Sequence, residues 1–427
     1  GSASGAGNTG TQNTMMGRYT GHSITTGNNN SGFGMEVLYA VTTGGSNTAM
    51  GFYANQLLTT GNFNVSIGQQ AGRTSVDGGG NVLVGYQAGY TNTSGSNNVA
   101  IGTTAGYSST TSNCTYVGHE AGYTNATGAN MTAVGFQALY SSTANNNTAF
   151  GLYAGLSTTT GGANTFLGLQ SGNNNTTGAS NVMVGMQAGY NNTTGSTNTY
   201  MGYAAGYGNG AGTGEGNTAI GFYSQKDKGT SGNYNTSLGF YALGSDQNAG
   251  FTGTGNTSGG YYSQRFTSSG SYNTTFGYIA GERLTSGTNN TLIGAEAGTG
   301  SAPSGQLTSE SNRVCLGNNS VSHLYCKVST ITTSDRRDKG KFEEIKLGLD
   351  FVDKLKPTAF EFKKDGLRDT EKTDGIKRYG FIAQDILELE GDNPVIINND
   401  RPENLMYSQG NLIPILVNAI QELKAEI

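Results

Sequence analysis

A five-residue phrase recurs along most of the chain and constrains its fold more than any other feature. Typical copies are NTAMG at residues 47–51, NVAIG at 98–102 and NTAIG at 217–221. The glycines that close the copies fall at positions 17, 34, 51, 68, 85, 102, 118, 135, 151, 168, 185, 202, 221, 239, 260, 277, 294 and 317. Eleven of the 17 intervals are 17 residues long, which predicts a repeat array over residues 13–317.

A unit of 17 residues is too short for two helices and favours a coil made of short strands and turns. We expect a strand of about five residues that ends at the glycine, because the phrase is small, β-branched and alternating. A second short strand (YQAGY, residues 86–90) and an Asn/Gly-rich turn then complete the coil. Stacked about 4.8 Å apart, eighteen such coils predict a β-solenoid (β-roll) on the order of 85 Å long.

The interior of so small a coil is expected to hold only Ala, Val, Ile, Leu and Ser. The residues directly before the glycines are predicted to point inward: Met50, Ile67, Val84, Ile101, Val117, Val134, Phe150, Leu167 and Val184. Asparagines at equivalent positions are expected to hydrogen-bond along the rod. Aromatic residues after the glycines would form an outer stripe: Phe52, Tyr86, Phe136, Tyr203, Phe222 and Phe240. Since a long apolar stripe marks an oligomer interface, we expect a parallel homotrimer.

The composition changes abruptly near Ser334. Residues 1–333 hold 63 of the 70 glycines with 9 acidic and 8 basic residues, whereas residues 334–427 hold 7 glycines with 19 acidic and 15 basic residues. We therefore expect a second, α+β domain over residues 334–427 that ends in a helix at 411–427. Residues 318–333 would be connecting strands. Residues 1–12 would be a cloning scar or the remnant of a longer protein, since the start lacks Met and a signal peptide.

Several function classes are disfavoured by composition. A net charge of −5 gives no basic footprint for nucleic acid, and no apolar run is long enough for a membrane span. Three cysteines do not make a disulfide framework: Cys114 is predicted on a repeat strand, and Cys315 and Cys326 in a hairpin, all as buried thiols. The array has too few Asp for calcium-binding repeats, and no P-loop or dinucleotide motif is present, so we expect neither metal nor cofactor.

The repeat period breaks where insertions would form loops on one face of the solenoid. The intervals between Gly202 and Gly260 are 19, 18 and 21 residues, and the last interval is 23. Candidate glycan or receptor contacts in the first of these regions are Lys226, Asp227, Lys228, Asp246, Tyr261 and Tyr262. Tolerated surface insertions are the alternative. Asp227 and Asp246 are the one acidic pair about a coil apart, so a glycan-degrading site with paired carboxylates is the lesser hypothesis.

The array resembles the heads of trimeric autotransporter adhesins and the Gly/Asn-rich repeats of phage tail fibres. The likeness lies in repeat style and implies left-handed β-rolls packed as trimers. Such a rod would be a structural, receptor-binding fibre of a virion tail, with a host-surface glycan or protein receptor and other tail proteins as partners. A bacterial surface adhesin with the same architecture is the alternative.

Residues 334–427 resemble the intramolecular chaperone domain of endosialidases, tail spikes and tail fibres. The matching pieces are Ser334-Asp335, Arg337 and Lys339, then LKP at 355–357 with Phe360, GFIAQ at 380–384, Tyr407 and the helix over 412–423. Between Arg337 and Lys339 the sequence has Asp338, where the family usually carries an apolar residue. The resemblance implies that the domain guides trimer folding and then releases itself.

The implied cut lies between Thr333 and Ser334, with Ser334 as nucleophile, Lys339 as its base, and Asp335 and Arg337 in support. A serine is a weak nucleophile until a base removes its proton, and a lysine serves as base only when desolvation lowers its pKa. Ser334 as a helix cap or turn residue is the alternative. No turnover enzyme is expected beyond this self-cleavage.

The last segment predicts a helix with an apolar stripe. Leu412, Leu416, Ala419, Leu423 and Ile427 follow steps of four, three, four and four, and Ile413 and Ile420 widen the stripe. Two interpretations stay open. The helix packs on its own domain, or it begins a trimeric coiled coil.

Overall fold

The computed structural model describes residues 9–208, 212–226, 231–244, 250–325, 336–363, 371–392, 394–399, 402 and 405–426. The chain divides into two compact units, residues 1–318 and 319–427. The first unit is almost entirely β-structure and turns, and the second combines two short sheets with helices. The mostly-β class with a small C-terminal α+β domain is therefore confirmed.

Eighteen strands in the described part of the first unit form one parallel sheet. They are β1 Thr14–Met16, β2 Ser31–Phe33, β3 Thr48–Met50, β4 Val65–Ile67, β5 Val82–Val84, β6 Val99–Ile101, β7 Thr115–Val117, β8 Thr132–Val134, β9 Thr148–Phe150, β10 Thr165–Leu167, β11 Val182–Val184, β12 Thr199–Met201, β13 Thr218–Ile220, β14 Thr236–Leu238, β15 Thr257–Gly259, β16 Thr274–Phe276, β17 Thr291–Ile293 and β18 Val314–Leu316. Each strand pairs in register with the equivalent residues of the next coil, as Thr48 does with Val65. The predicted β-solenoid of about 18 coils is thus confirmed.

Each coil contributes one strand, so the predicted second strand is wrong. In the coil that follows Gly85, Gln87 and Gly89 have φ of 53° and 58°, in the left-handed region. Extended backbone needs negative φ, and these residues therefore turn the chain instead of continuing a strand. The closing glycine is needed for space as well as conformation. At Gly118, where φ is 132°, a Cβ atom would overlap the carbonyl oxygen of Gly135 in the next coil.

The predicted inward-facing residues are also wrong, by one position. In β9, Ala149 is fully buried whereas Phe150, directly before the glycine, is 46% exposed. None of the nine residues that we expected inside is buried. The reason is the asparagine that precedes each strand. Asn147 is buried, and because side chains alternate along extended backbone, the next inward position is Ala149.

The interior also admits aromatic rings, contrary to the expectation of small side chains only. Tyr116, Phe166 and Tyr200 are buried within the solenoid. The Tyr116 ring lies against Gly106 and Gly122, where a Cβ atom would overlap it, so glycines on both sides create the room. Its hydroxyl accepts a hydrogen bond from Asn125 Nδ2 at 2.5 Å. Burial raises the pKa of Tyr116 far above that of an exposed tyrosine.

The predicted asparagine ladder is present and runs inside the solenoid. Its buried members are Asn30, Asn47, Asn64, Asn81, Asn98, Asn147, Asn164, Asn181, Asn198, Asn217, Asn235, Asn256, Asn273 and Asn290. Asn181 illustrates one rung: its N–H donates to Asn164 Oδ1 at 2.9 Å, and its Nδ2 donates to the Gly195 carbonyl at 2.9 Å. Its own Oδ1 accepts from the Asn198 N–H at 2.9 Å. Cys114 and Met131 replace asparagine at two successive rungs.

Asn181→Ala is expected to destabilise the rod by roughly 2–4 kcal/mol, because it strands the buried Asn198 N–H and Gly195 carbonyl without their partner. Thermal unfolding followed by circular dichroism, with hydrogen exchange over β11 and β12, measures the loss. Thr194→Ala at an exposed corner is the matched control and should stay within about 0.5 kcal/mol of the parent. Equal stability of the two variants would show that the ladder contributes nothing.

The described part of the second unit contains three α-helices and two small sheets, and one hydrophobic core. The helices are α1 Leu349–Val352, α2 Ala383–Glu390 and α3 Gln409–Glu426, and a short 3-10 helix covers Arg336–Asp338. Antiparallel pairs are formed by β19 Thr358–Phe360 with β20 Arg378–Gly380, and by β21 Ile397–Asn398 with β22 Met406–Tyr407. The core comprises Phe351, Ile386, Ile396, Ile397, Leu412 and Ile415. The Glu390 carboxylate accepts three backbone N–H groups, those of Val395, Ile396 and Ile397, at 2.7–2.9 Å.

Cysteine placement corrects one further expectation. Cys315 lies in β18 and pairs in parallel with Leu292 of β17, so it is part of the solenoid and not of a hairpin. Cys114 and Cys315 are buried free thiols, as predicted. Cys326 lies outside the described residues, as do positions 326–333 of the predicted connecting strands, whereas residues 318–325 form no strand. Within the described ranges, no helix has the length and apolarity needed to cross a bilayer.

Candidate cleavage and receptor sites

The predicted cleavage junction is only partly within the described residues. Thr333, Ser334 and Asp335 lie outside them, whereas Arg337 and Lys339 are described and exposed. The 3-10 turn places the Lys339 N–H 3.3 Å from the Arg336 carbonyl, and the Arg336 guanidinium lies 5.0 Å from the Phe342 ring centroid. The pairing of Ser334 with Lys339 therefore stays a prediction. Because Lys339 is exposed in the single chain, the desolvation that a lysine base requires must come from another surface.

Helix α3 presents two different apolar faces. Leu412, Ile415 and Ala419 are buried against their own domain. Ile413, Leu416, Ile420 and Leu423 are exposed and follow steps of three, four and three along the same helix. The single stripe predicted from the sequence is thus split between these faces. Packing on its own domain is confirmed, and an apolar face with coiled-coil spacing is exposed in the single chain.

The structure describes three of the predicted receptor contacts: Lys226, Tyr261 and Tyr262. The other three, Asp227, Lys228 and Asp246, lie outside the described residues. Tyr261 is one rung of a stack that runs along the rod. Its ring lies 5.3 Å from Phe240 and 5.5 Å from Tyr278 between centroids, with interplanar angles of 14° and 8°. Both ring faces are therefore covered, and the edge with its hydroxyl is what reaches solvent.

Cations lie over the neighbouring tyrosines. Lys226 Nζ is 4.0 Å from the Tyr223 ring centroid, and the Arg265 guanidinium is 4.1 Å from that of Tyr262 and 5.4 Å from that of Tyr241. The sequence prediction missed Arg265 and Tyr241. Tyr241 could have been found from the second residue after each glycine, which is tyrosine in three successive coils. Arg265 could have been found because it is the fifth residue after Gly260, as Lys226 is after Gly221.

The carboxylate pair of the glycan-degrading hypothesis is Asp227 and Asp246, and both lie outside the described ranges. The distance between their carboxyl groups would distinguish a retaining from an inverting site, and it lies outside what the structure describes. The glycan-degrading hypothesis stays untested.

The fold and these sites define a class: a parallel β-solenoid of short repeats followed by a small α+β domain that ends in a helix. Residues 334–393 match the protein family described as chaperone of endosialidase. The chain therefore carries a chaperone-of-endosialidase domain near its C-terminus, directly after the solenoid. This combination fits a protein of the tail-fibre or tail-spike type. No curated protein and no solved structure matches the chain.

Proposed function

We propose that this protein is a trimeric phage tail fibre whose C-terminal domain assists trimer folding and then releases itself by cleavage between Thr333 and Ser334. The observation that carries the proposal is the position of the chaperone-family domain directly after a repetitive solenoid. A bacterial surface adhesin built from the same parts is the second candidate. A neighbouring capsid or tail gene favours the fibre, and a secretion signal on the full-length chain favours the adhesin.

Trimer formation is supported by an apolar stripe along one side of the solenoid. We call it the strand-end stripe, and it consists of the third residue of each strand, β1 to β18. Twelve of these side chains are exposed: Met16, Met50, Ile67, Ile101, Phe150, Leu167, Met201, Ile220, Leu238, Phe276, Ile293 and Leu316. A soluble chain rarely exposes so long a run of large apolar side chains, so further copies of the same chain are the proposed cover.

The trimer is tested by light scattering on the purified protein, which should give three times the mass of one chain. Ile220→Asp is expected to prevent assembly, because it places an unpaired charge in the strand-end stripe, which the proposed trimer buries. Thr177→Asp, on an exposed corner, introduces the same charge and should leave the trimer intact. A stable monomer or dimer of the parent would contradict the proposal.

The cleavage chemistry follows from the residues at the junction. Lys339 Nζ takes the proton of the Ser334 hydroxyl, and Ser334 Oγ attacks the Thr333 carbonyl carbon. The bond from that carbon to the Ser334 nitrogen breaks, an ester forms, and the proton passes to the freed amine. Water then hydrolyses the ester, which leaves a carboxylate on Thr333 and restores the serine hydroxyl. Lys339 must be neutral to act, so the surface that desolvates it is assigned to the assembled trimer.

Receptor binding is assigned to the face of the solenoid that carries Lys226, Tyr261 and Tyr262. Tyrosine hydroxyls and edges next to cations suit a polar ligand such as a host-surface glycan or a protein receptor. Three of the four longer repeat intervals, those between Gly202 and Gly260, belong to this part of the sequence. A glycan array screened with the rod that cleavage releases identifies the ligand, and a Tyr262→Ala rod is the matched comparison.

A further inference from the structure

The segment that leads from the cleavage junction into the C-terminal domain is exposed until it reaches α3. Residues 341–346 are all exposed, and burial begins at Leu347 and Gly348. This segment carries Lys339 six residues before Ile345. Six extended residues span at most about 20 Å, so whatever anchors Ile345 limits where Lys339 can lie.

Two side chains of α3 supply that anchor. Asn418 Nδ2 donates to the carbonyl oxygens of Leu347 at 3.0 Å and Ile345 at 3.3 Å. Glu422 Oε2 accepts from the Leu349 N–H at 2.6 Å, and its Oε1 accepts from Asn418 Nδ2 at 3.1 Å. Gly348 passes so close to this carboxylate that a Cβ atom there would overlap it. The backbone around Gly348 is therefore fitted to the side chains of one helix.

The same helix carries the exposed apolar face described above. A groove beside it is lined by Glu344, Ile345, Ile413, Pro414, Val417, Asn418 and Gln421. Asn418 thus lies between the anchored segment and the apolar residues that are available for assembly. A change in the packing of α3 displaces Asn418 and Glu422, and with them residues 345–349.

We propose that Asn418 and Glu422 are positioning residues that couple the assembly of α3 to self-cleavage at the junction. They hold residues 345–349 on α3 already in the single chain, so the segment bearing Lys339 follows α3 when that helix packs in the oligomer. This inference rests on the proposed self-cleavage. It explains why an exposed lysine becomes a base after assembly: anchoring removes conformational freedom from the segment, and the partner chains supply the desolvation.

The test compares isosteric variants in the full-length chain, refolded from denaturant. Asn418→Asp keeps the shape and loses the donor to both carbonyls, whereas Glu422→Gln keeps an acceptor for the Leu349 N–H. Cleavage time courses on denaturing gels should show Asn418→Asp slowed at least about tenfold, because small misplacements of reacting groups are costly. Glu422→Gln should cleave within about twofold of the parent, and Glu422→Ala should be slow. Light scattering is expected to find all of them trimeric.

Several outcomes decide the matter. If the parent does not cleave, the proposed self-cleavage fails, and the coupling fails with it. If the parent cleaves, and if Asn418→Asp and Glu422→Ala form trimers that cleave at the parental rate, the coupling is overturned and the proposed self-cleavage stands. If Asn418→Asp does not assemble, Gly348→Ala decides, since its Cβ atom pushes the Glu422 carboxylate aside while every residue of α3 keeps its identity. Slow cleavage of a trimeric Gly348→Ala supports the coupling, and the parental rate overturns it. Glu426→Ala, at the exposed end of the same helix and outside the groove, serves as the unaffected control.

Discussion

The folded parent is expected to give two bands on a denaturing gel, whereas Ser334→Ala gives one chain of full mass that still forms trimers. Without the hydroxyl no nucleophile exists at the junction, so cleavage should fall below detection and not merely slow. N-terminal sequencing of the smaller parental fragment should begin at Ser334. Lys339→Ala should match Ser334→Ala, because the hydroxyl then keeps its proton.

The matched control for the lysine is Lys346→Ala. Lys346 is exposed and lies in the same segment, so its removal changes net charge equally and should leave cleavage unchanged. Timing gives a second check: fragments should appear after trimers and never before them. A parent that folds and stays intact would refute the cleavage mechanism and leave the folding role standing, since folding guidance does not require the cut.

Deleting residues 334–427 before synthesis is expected to abolish soluble, uniform trimers. The coils are nearly alike, and the strand-end stripe is apolar along almost its whole length, so two chains that slip by one coil still pair apolar side chains. Pairing register is weakly specified in such a case. A C-terminal domain that assembles first would bring the three chains into register before the coils associate.

The companion experiment removes the same residues after folding, by self-cleavage or by a protease site placed at residue 334. The rods should then stay trimeric and soluble, because their contacts are already in register. Light scattering and negative-stain microscopy of both preparations compare them directly. Soluble rods of uniform length and trimeric mass from the shortened gene would refute the chaperone role.

The solenoid was predictable because its signal is repeated many times. A single copy of NTAMG does not predict a fold. Glycines that recur at a 17-residue interval predict one coil per repeat unit and show which side chains are equivalent from coil to coil. The direction of side chains was not predictable from the apolar residues alone. Ala149 and Phe150 are both apolar, and the deciding residue is the buried Asn147, whose amide bonds to neighbouring coils are what place it inside.

Aromatic residues were misjudged for a related reason. Tyr116 and Tyr86 are the same residue type, yet one is buried in the interior and the other is exposed. Tyr116 is the middle residue of β7, which points inward, whereas Tyr86 directly follows the closing Gly85. Gly106 and Gly122, in neighbouring coils, make room for the Tyr116 ring only once the coils are stacked. In the second domain, the motifs that resemble the chaperone family predicted the residues of the cleavage junction. They did not predict the roles of Asn418 and Glu422, because the hydrogen bonds of these two side chains join residues about 70 positions apart in the sequence.

The interruption of the asparagine ladder has a mechanical consequence for a fibre under load. Hydrogen bonds between the coils of a solenoid point along its axis. A force that pulls on the two ends of the rod therefore stretches all the bonds between one coil and the next at the same time. Every boundary between coils carries the same full force. The strength of the whole is then set by its weakest boundary. At Cys114 and Met131 the side chains offer no amide to the neighbouring coil. These boundaries keep their backbone bonds and side-chain bonds such as that from Thr111 Oγ1 to the Gly128 carbonyl, but they lack the buried amide bonds of the ladder. We expect a rod pulled from its ends to yield there first.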